Sequence, residues 1–230
     1  FLRAGTLVAQ KFDPRTQTLS GEAQPVAENV KRSGRFEADF SISRNGVLAF
    51  EVGSAIEPAQ LILVDRSGRD VGFAGKTIAD YSAPKFSHDE SRVVASIADP
   101  GTTKGDVWVL DVARGTSTRL TFDPENDLNP VWSPDDRNIY STSFRAGRGD
   151  IFAKSSSGTG KDEPVYGSPY PDYLWSVSAD GATGWVVAFP PKLGSDIVRL
   201  DLHTGQASVF LSTPFNETTP VSSPDGRWLA

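Results

Sequence analysis

The apolar residues of this chain fall in short runs that are separated by clusters of Gly, Pro, Asp and Ser. The runs 93–97 and 185–189 are almost wholly apolar, which is typical of strands covered on both faces. Residues 6–12 alternate between apolar and polar types, as a half-buried strand does. No stretch shows the 3.6-residue period of a long helix. The pattern therefore predicts an all-β chain of many short strands.

One turn, with Ser in first place and usually Asp in third place, recurs along the chain. It begins at Ser43, Ser87, Ser133, Ser178 and Ser223, at spacings of 44 to 46 residues. A second landmark, the polar residue that opens a later strand, has the same period and occurs at Gln60, Asp106, Asp150 and Asp196. In such turns Ser and Asp side chains accept backbone hydrogen bonds, and Gly adopts the positive φ that closes the turn. A unit of about 45 residues with several strands predicts a four-stranded propeller blade.

We therefore predict one β-propeller domain over residues 1–230, built of four-stranded antiparallel blades. The complete units are 36–80, 81–125, 126–170 and 171–215. Residues 1–35 contain the later strands of a unit and 216–230 contain the first strands of one. We expect these two segments to form a fifth, composite blade that closes the ring with strands from both ends of the chain. The alternative is that the chain is a fragment of a larger propeller.

Composition agrees with this fold and excludes several classes of function. Hydrophobic residues make up 38% of the chain, and its 21 Gly and 16 Pro suit a turn-rich β structure. The net charge of −6 argues against a nucleic-acid-binding protein. No run approaches the roughly 18 consecutive apolar residues of a membrane span. Because the chain has no Cys, it contains no disulfide, no thiolate metal site and no cysteine nucleophile.

A column of mostly acidic residues lies six positions before each recurring Ser. Its members are Glu37, Tyr81, Asp127, Asp172 and Glu217. We expect them at one rim of the central channel, where one blade leads into the next. Converging carboxylates at a channel mouth can hold a hard cation or attract a basic peptide end. One alternative is therefore calcium bound by Asp127, Asp172 and Glu217, and another is that each residue only caps its own loop.

The loops between second and third strands are expected at the same rim, and they carry Arg145 and Arg148. Tyr170, Tyr173 and Trp175 form an aromatic patch where the fourth unit begins. Trp175 stands where other units have Pro, so we expect it to be exposed. Exposed aromatic residues beside arginines are typical of protein contact sites. The predicted binding site consists of Glu37, Tyr81, Asp127, Arg145, Arg148, Asp172, Tyr173, Trp175 and Glu217.

Catalytic signatures are weak in this sequence. There is no Gly-x-Ser-x-Gly motif, and His88 and His203 are the only histidines. The second hypothesis is a glycosidase-like propeller hydrolase that uses the carboxylates of the channel mouth. A third is a propeller that gates substrate access in a larger enzyme. Because an enzyme site normally breaks repeat symmetry, the evenly repeated carboxylates favour a non-catalytic module without a cofactor that binds a protein, a peptide or a small ligand.

The segment 130–137, Pro-Val-Trp-Ser-Pro-Asp-Asp-Arg, followed by Gly-Asp-Ile-Phe at 149–152, resembles the TolB-like, WD-type propeller repeat of bacterial proteins. Related repeats occur in prolyl oligopeptidase-like enzymes and in the regions that follow receptor-type bacterial serine/threonine kinases. The segment 114–124 is most similar to the last group. The resemblance implies a sensor or scaffold role, an extracytoplasmic or periplasmic location and an upstream kinase domain in the parent protein.

Overall fold

The computed structural model describes residues 2–3, 6–13, 15–16, 18–30, 32–33, 37–38, 40–43, 45–52, 59–75, 78–99, 104–191, 194–223 and 225–230. These residues form strands, turns and loops, with no helix among them. An N-terminal sheet has the order β1 (Leu2–Arg3), β2 (Thr6–Asp13) and β3 (Thr18–Ala27). A short pair of strands follows, β4 (Arg32–Ser33) and β5 (Glu37–Ala38).

Four antiparallel sheets of four strands come next, and we call them the first to fourth blades. The first blade contains β6 (Phe40–Ile42), β7 (Leu48–Glu51), β8 (Leu61–Val64) and β9 (Asp70–Phe73). The second contains β10 (Tyr81–Phe86), β11 (Arg92–Ala98), β12 (Gly105–Asp111) and β13 (Thr116–Arg119). The third contains β14 (Asp127–Trp132), β15 (Asn138–Ser143), β16 (Asp150–Ser155) and β17 (Glu163–Tyr166). The fourth contains β18 (Asp172–Val177), β19 (Thr183–Ala188), β20 (Asp196–Asp201) and β21 (Ala207–Leu211).

Apolar side chains from consecutive sheets pack together in four separate cores, one at each sheet-to-sheet interface. In chain order, a buried residue from each side of these interfaces is Leu7 and Phe50, Leu61 and Val93, Val107 and Trp132, and Ile151 and Leu174. The second strands β11 and β19 are buried along most of their length, which explains their long apolar runs. This is a β-propeller, and the all-β fold predicted from the repeat is confirmed.

The two ends of the chain pair separately. In the N-terminal sheet β2 pairs with β1 on one side and with β3 on the other. Near residue 230, Val221 and Ala230 exchange two backbone hydrogen bonds of 3.0 Å, and Ser222 bridges Leu229. The composite blade predicted from both ends is therefore not found among the described residues. The physical reason visible in the described residues is that β1 occupies the edge of β2 on which a strand from the other end of the chain would have paired.

The recurring turn is closed by its Ser and Asp side chains, as predicted. Ser87 Oγ donates to Asp89 Oδ1 at 2.7 Å, and Asp89 Oδ1 also accepts from the Ser91 backbone N–H at 3.0 Å. The fourth residue has a positive φ in each copy, and these residues are Gly46, Glu90, Asp136, Gly181 and Gly226. Three of the five are Gly, the residue that takes this conformation without steric cost.

Glu90 and Asp136 adopt the same positive φ although they are not Gly. Both carboxylates accept hydrogen bonds from backbone N–H groups of the preceding blade. Glu90 Oε1 accepts the Asn45 backbone N–H at 2.9 Å. The Asp136 carboxylate accepts the backbone N–H groups of His88 and Asp89, at 2.8 and 2.9 Å. A positive φ costs an L-residue roughly 1 kcal/mol, and hydrogen bonds to a carboxylate are strong enough to offset that cost. These carboxylates therefore connect the first three blades at the end where the short turns lie.

Replacing Asp136 tests this connection. We expect Asp136→Ala to lower the free energy of unfolding by about 2 kcal/mol, because two backbone N–H groups lose their acceptor and the strained φ remains. Asp136→Gly is the matched variant, since it removes the same acceptor but relieves the φ, and it should be destabilised less. Urea unfolding of both variants measures the difference. An Asp136→Gly protein at least as stable as the wild type would show that the carboxylate does not hold the blades together.

Candidate functional site

The longer connections of the propeller meet at one end, which we call the loop end. Their described residues in the connections that lead into inner strands are 74–75, 78–80, 120–126, 167–171 and 212–219. Those in the connections between second and third strands are 144–149, 189–191 and 194–195. Backbone hydrogen bonds tie the two kinds together. Phe144 N donates to Asn126 O at 2.8 Å, and Phe189 N donates to Pro171 O at 3.1 Å. Most of the predicted site residues lie at this end.

Asp127, at the start of β14, is 0% exposed and belongs to a network of charged groups between the second and third blades. Arg145 Nη2 lies 2.8 Å from Asp162 Oδ2 and 3.4 Å from Asp127 Oδ1. The Arg145 guanidinium also stacks on Phe152, 4.2 Å from the ring centroid. Burial raises the pKa of Asp127, whereas Ser143 and Arg145 act in the opposite direction. Arg145 and Asp127 thus lie together, with Arg145 as the partner of a buried carboxylate inside the protein.

Asp172, at the start of β18, is also 0% exposed. Its Oδ2 accepts the Ser168 backbone N–H at 2.9 Å, and its Oδ1 has no hydrogen-bond partner. Burial is the main cause that raises the pKa of Asp172, and the nearby Asp150 carboxylate acts in the same direction. Arg148 directs its Nε at Asp150 Oδ1, 3.1 Å away. The same repeat position therefore has a charged partner in one blade and an uncharged one in the next.

The other members of the predicted column lie apart from these two. Tyr81 is buried in the core between the first and second blades, where burial raises its pKa to about 12. Glu217 is half-buried and accepts a hydrogen bond from Thr213 Oγ1. Glu37 lies on β5, and its side chain is outside the described residues. In the part of the chain that the structure describes, no three carboxylate or histidine side chains converge as a metal site requires.

Tyr173 lies in an aromatic row with two phenylalanines that the sequence analysis missed. The ring centroid of Tyr173 is 6.0 Å from that of Phe144 and 5.7 Å from that of Phe189. Phe144 and Phe189 each follow the last residue of a second strand, and they are 45 positions apart. That spacing equals the repeat period, so the sequence did contain a signal for this pair.

Trp175 lies apart from the aromatic row, at a bulge in β18, and is half-buried where exposure was expected. Its carbonyl oxygen accepts a hydrogen bond of 2.7 Å from Lys85 Nζ. Lys85 is on β10 of the second blade, so its side chain reaches past the third blade to the inner strand of the fourth. This contact joins inner strands that are not neighbours in the ring.

The four connections that lead into inner strands each expose a large apolar side chain. These residues are Ile78, Phe122, Tyr170 and Phe215. Phe122 and Phe215 are 67% and 77% exposed, and Phe189 of the aromatic row, directly after β19, is 43% exposed. Scattered apolar residues on a surface are ordinary, whereas their recurrence on consecutive loops of one end is a mark of an interaction surface.

Residues 55–230 match the sequence family described as the TolB β-propeller domain. The chain belongs to this TolB β-propeller family. One relative is an uncharacterized protein of Agrobacterium fabrum, which is 24% identical to this chain over 225 residues. The match covers 93% of this chain and 75% of the relative. No helix long and apolar enough to cross a membrane occurs in the described part of this TolB-type propeller.

Two solved structures show the likeness in three dimensions. TolB from Acinetobacter baumannii superposes with a TM-score of 0.73 at 20% identity, over 90% of this chain and 50% of that chain. A gluconolactonase from Xanthomonas campestris gives a TM-score of 0.62 at 14% identity, over 83% of this chain and 66% of that chain. At these identities the likeness concerns the fold, and the chain spans half the length of the TolB chain.

The buried carboxyl of Asp172 predicts a pH effect on stability. Its pKa is higher in the folded than in the unfolded chain. Above about pH 4 the folded state therefore retains a proton that the unfolded state has already released, and raising the pH favours the unfolded state. The wild type should therefore lose stability relative to Asp172→Asn between about pH 4 and neutrality, as measured by urea unfolding.

Asp89→Asn is the matched control. The pKa of Asp89 is lowered to about 2, mainly by Ser87, so the wild type should lose its advantage over this variant as pH falls from about 4 to about 2. Parallel profiles for Asp172→Asn and the wild type would contradict the assignment.

Calcium provides a second test at this end. Asp127, Asp172 and Glu217 lie in separate contacts, so we expect millimolar calcium chloride to leave the melting temperature unchanged relative to magnesium chloride. A calcium-specific rise that disappears in Asp172→Asn would contradict this expectation and support the calcium alternative.

Proposed function

We propose that this TolB-type propeller is a non-catalytic protein-binding module and that its contact surface is the loop end. The observation that carries the proposal is the recurrence of exposed apolar side chains on four consecutive connections, with Phe122 and Phe215 the most exposed. Large apolar and aromatic side chains supply most of the energy of protein contacts. The row of Phe144, Tyr173 and Phe189 extends this surface across the third and fourth blades.

Burial of the candidate catalytic carboxylates supports the non-catalytic part of the proposal. A glycosidase needs two carboxyl groups that reach the same sugar. Asp127 and Asp172 are 0% exposed, and each is held between a different pair of blades. A substrate at the surface has no access to either group. The hydrolase hypothesis therefore has no support from these residues, although propellers similar in fold occur in a gluconolactonase and in prolyl endopeptidases.

The context of the module remains that implied by the sequence resemblance. We propose a location outside the cytoplasm and a parent protein in which the propeller follows a kinase domain, so that binding at the loop end is sensed by the rest of the chain. The turn end is not part of the proposed contact surface, because the carboxylates of Glu90 and Asp136 there bind backbone groups of the preceding blade.

Selection from a phage-displayed library of random peptides tests the binding surface. The full chain is immobilised, and enriched peptides are synthesised and titrated by fluorescence anisotropy. We expect Phe122→Ala and Phe215→Ala each to weaken their binding about tenfold, which corresponds to about 1.4 kcal/mol.

The matched control is Phe12→Ala, which removes an exposed aromatic side chain near the end of β2 in the N-terminal sheet, away from the loops that carry Phe122 and Phe215. It should leave the affinities unchanged. Enrichment of no peptide, or binding that survives both loop-end substitutions, would contradict the proposal.

A further inference from the structure

The loop end has a one-sided distribution of charge. Carboxylates open the inner and third strands there in the third and fourth blades, as Asp127, Asp150, Asp172 and Asp196, and Asp106 is the second residue of the third strand in the second blade. The described cations at this end are already paired with carboxylates. Arg119 pairs with Asp106, Arg145 with Asp162, Arg148 with Asp150 and Lys104 with Glu125. Arg145 also lies 3.8 Å from Asp123 and 3.4 Å from Asp127, so the carboxylates at this end outnumber the described cations and give it a negative potential.

Two cations lie against Phe122, with Arg119 Cζ 5.2 Å and Lys154 Nζ 5.8 Å from its ring centroid, and both are bound by carboxylates, those of Asp106 and Asp162. Acidic residues also follow the exposed apolar side chains in the chain. Ile78 is followed two positions later by Asp80, which is exposed, and Phe122 is followed by Asp123 and Glu125. The Glu125 side chain is 50% exposed although Lys104 lies 2.9 Å from it. An apolar contact surface bordered by acidic groups is complementary to a segment in which apolar residues are bordered by basic ones.

We propose that the partner segment bound at the loop end is a basic, apolar peptide stretch in which Lys or Arg flank Leu, Ile or aromatic residues. The inference rests on the proposed function and specifies the chemistry of the partner. Its apolar side chains would contact Phe122, Phe215 and the aromatic row, and its cations would face Asp80 and Glu125. Basic flanks also speed association with an acidic surface and make it sensitive to salt.

Charge also disfavours the other macromolecular occupants of this surface. A nucleic acid or an anionic membrane would bring negative charge to a chain of net charge −6. A second copy of the chain would place two acidic loop ends face to face, which like-charge repulsion opposes.

Two synthetic peptides separate charge from apolar contact. One alternates Leu and Phe with Lys, and the other has the same sequence with each Lys replaced by Glu. Both are labelled and titrated with the full chain by fluorescence anisotropy. We expect the Lys peptide to bind at least tenfold more tightly than the Glu peptide at about 0.05 M salt. The difference should shrink at about 0.5 M salt, because surface charges are then screened.

Variants of the chain assign the effect to the loop end. The double variant Asp80→Asn with Glu125→Gln should weaken the Lys peptide about fivefold and leave the Glu peptide unchanged. The matched control is Asp70→Asn, an exposed acid at the start of β9, directly after the turn from β8 and so on the turn end. It should change neither affinity. Phe122→Ala should weaken both peptides, and thermal melting checks that each variant is folded.

The outcomes distinguish this inference from the proposed function. Equal affinity for the two peptides, with loss of both in Phe122→Ala, would overturn the basic-partner inference and keep the loop end as a binding surface. Binding that is unaffected by Phe122→Ala would overturn both. Tighter binding to vesicles of phosphatidylglycerol than to the Lys peptide, or dimerisation abolished by Phe215→Ala, would replace the peptide by a membrane or by a second copy.

Discussion

Close packing of each blade against the next is the constraint on which the rest of this structure depends. A single four-stranded sheet has two apolar faces and cannot bury either of them alone. The four cores between consecutive sheets solve this problem, and they explain why the second strands β7, β11 and β19 contain few polar residues. The same packing brings the ends of neighbouring strands together. Polar groups at those ends must therefore find partners within the protein.

This requirement gives the repeated acidic residues their different environments. Asp127 has Arg145 within 3.4 Å, whereas Asp172 depends on the backbone of Ser168 and retains an oxygen without a partner. Both carboxyls occupy the same repeat position and both have a raised pKa, because burial is the largest cause in each case. The difference arises after the second strand, where Arg145 has no charged counterpart two residues after Ala188. Equivalent positions in a repeat thus need not perform equivalent roles.

The two ends of the propeller are organised for different tasks. At the turn end the connections are short, and the carboxylates of Glu90 and Asp136 bind backbone groups of the preceding blade. At the loop end the connections are longer and expose Ile78, Phe122 and Phe215 to solvent. Carboxylates at the turn end thus bind backbone groups across blades, whereas the loop end combines buried carboxylates with exposed apolar side chains. This division supports a recognition role for a fold that many unrelated proteins share.

The sequence by itself determined the repeat, its period, the strand content and the turn chemistry, because these depend on local backbone preferences and on alternation of apolar residues. It also placed most of the candidate residues at one end. Only the tertiary structure decided that Tyr81, Asp127 and Asp172 are buried and that Trp175 is half-buried, since the neighbouring blade supplies the cover. It likewise decided that the C-terminal hairpin pairs with itself and that Tyr173 stacks with Phe144 and Phe189. Burial and stacking depend on side chains brought together from different blades, and these contacts are set by packing and not by the local pattern that defines each repeat.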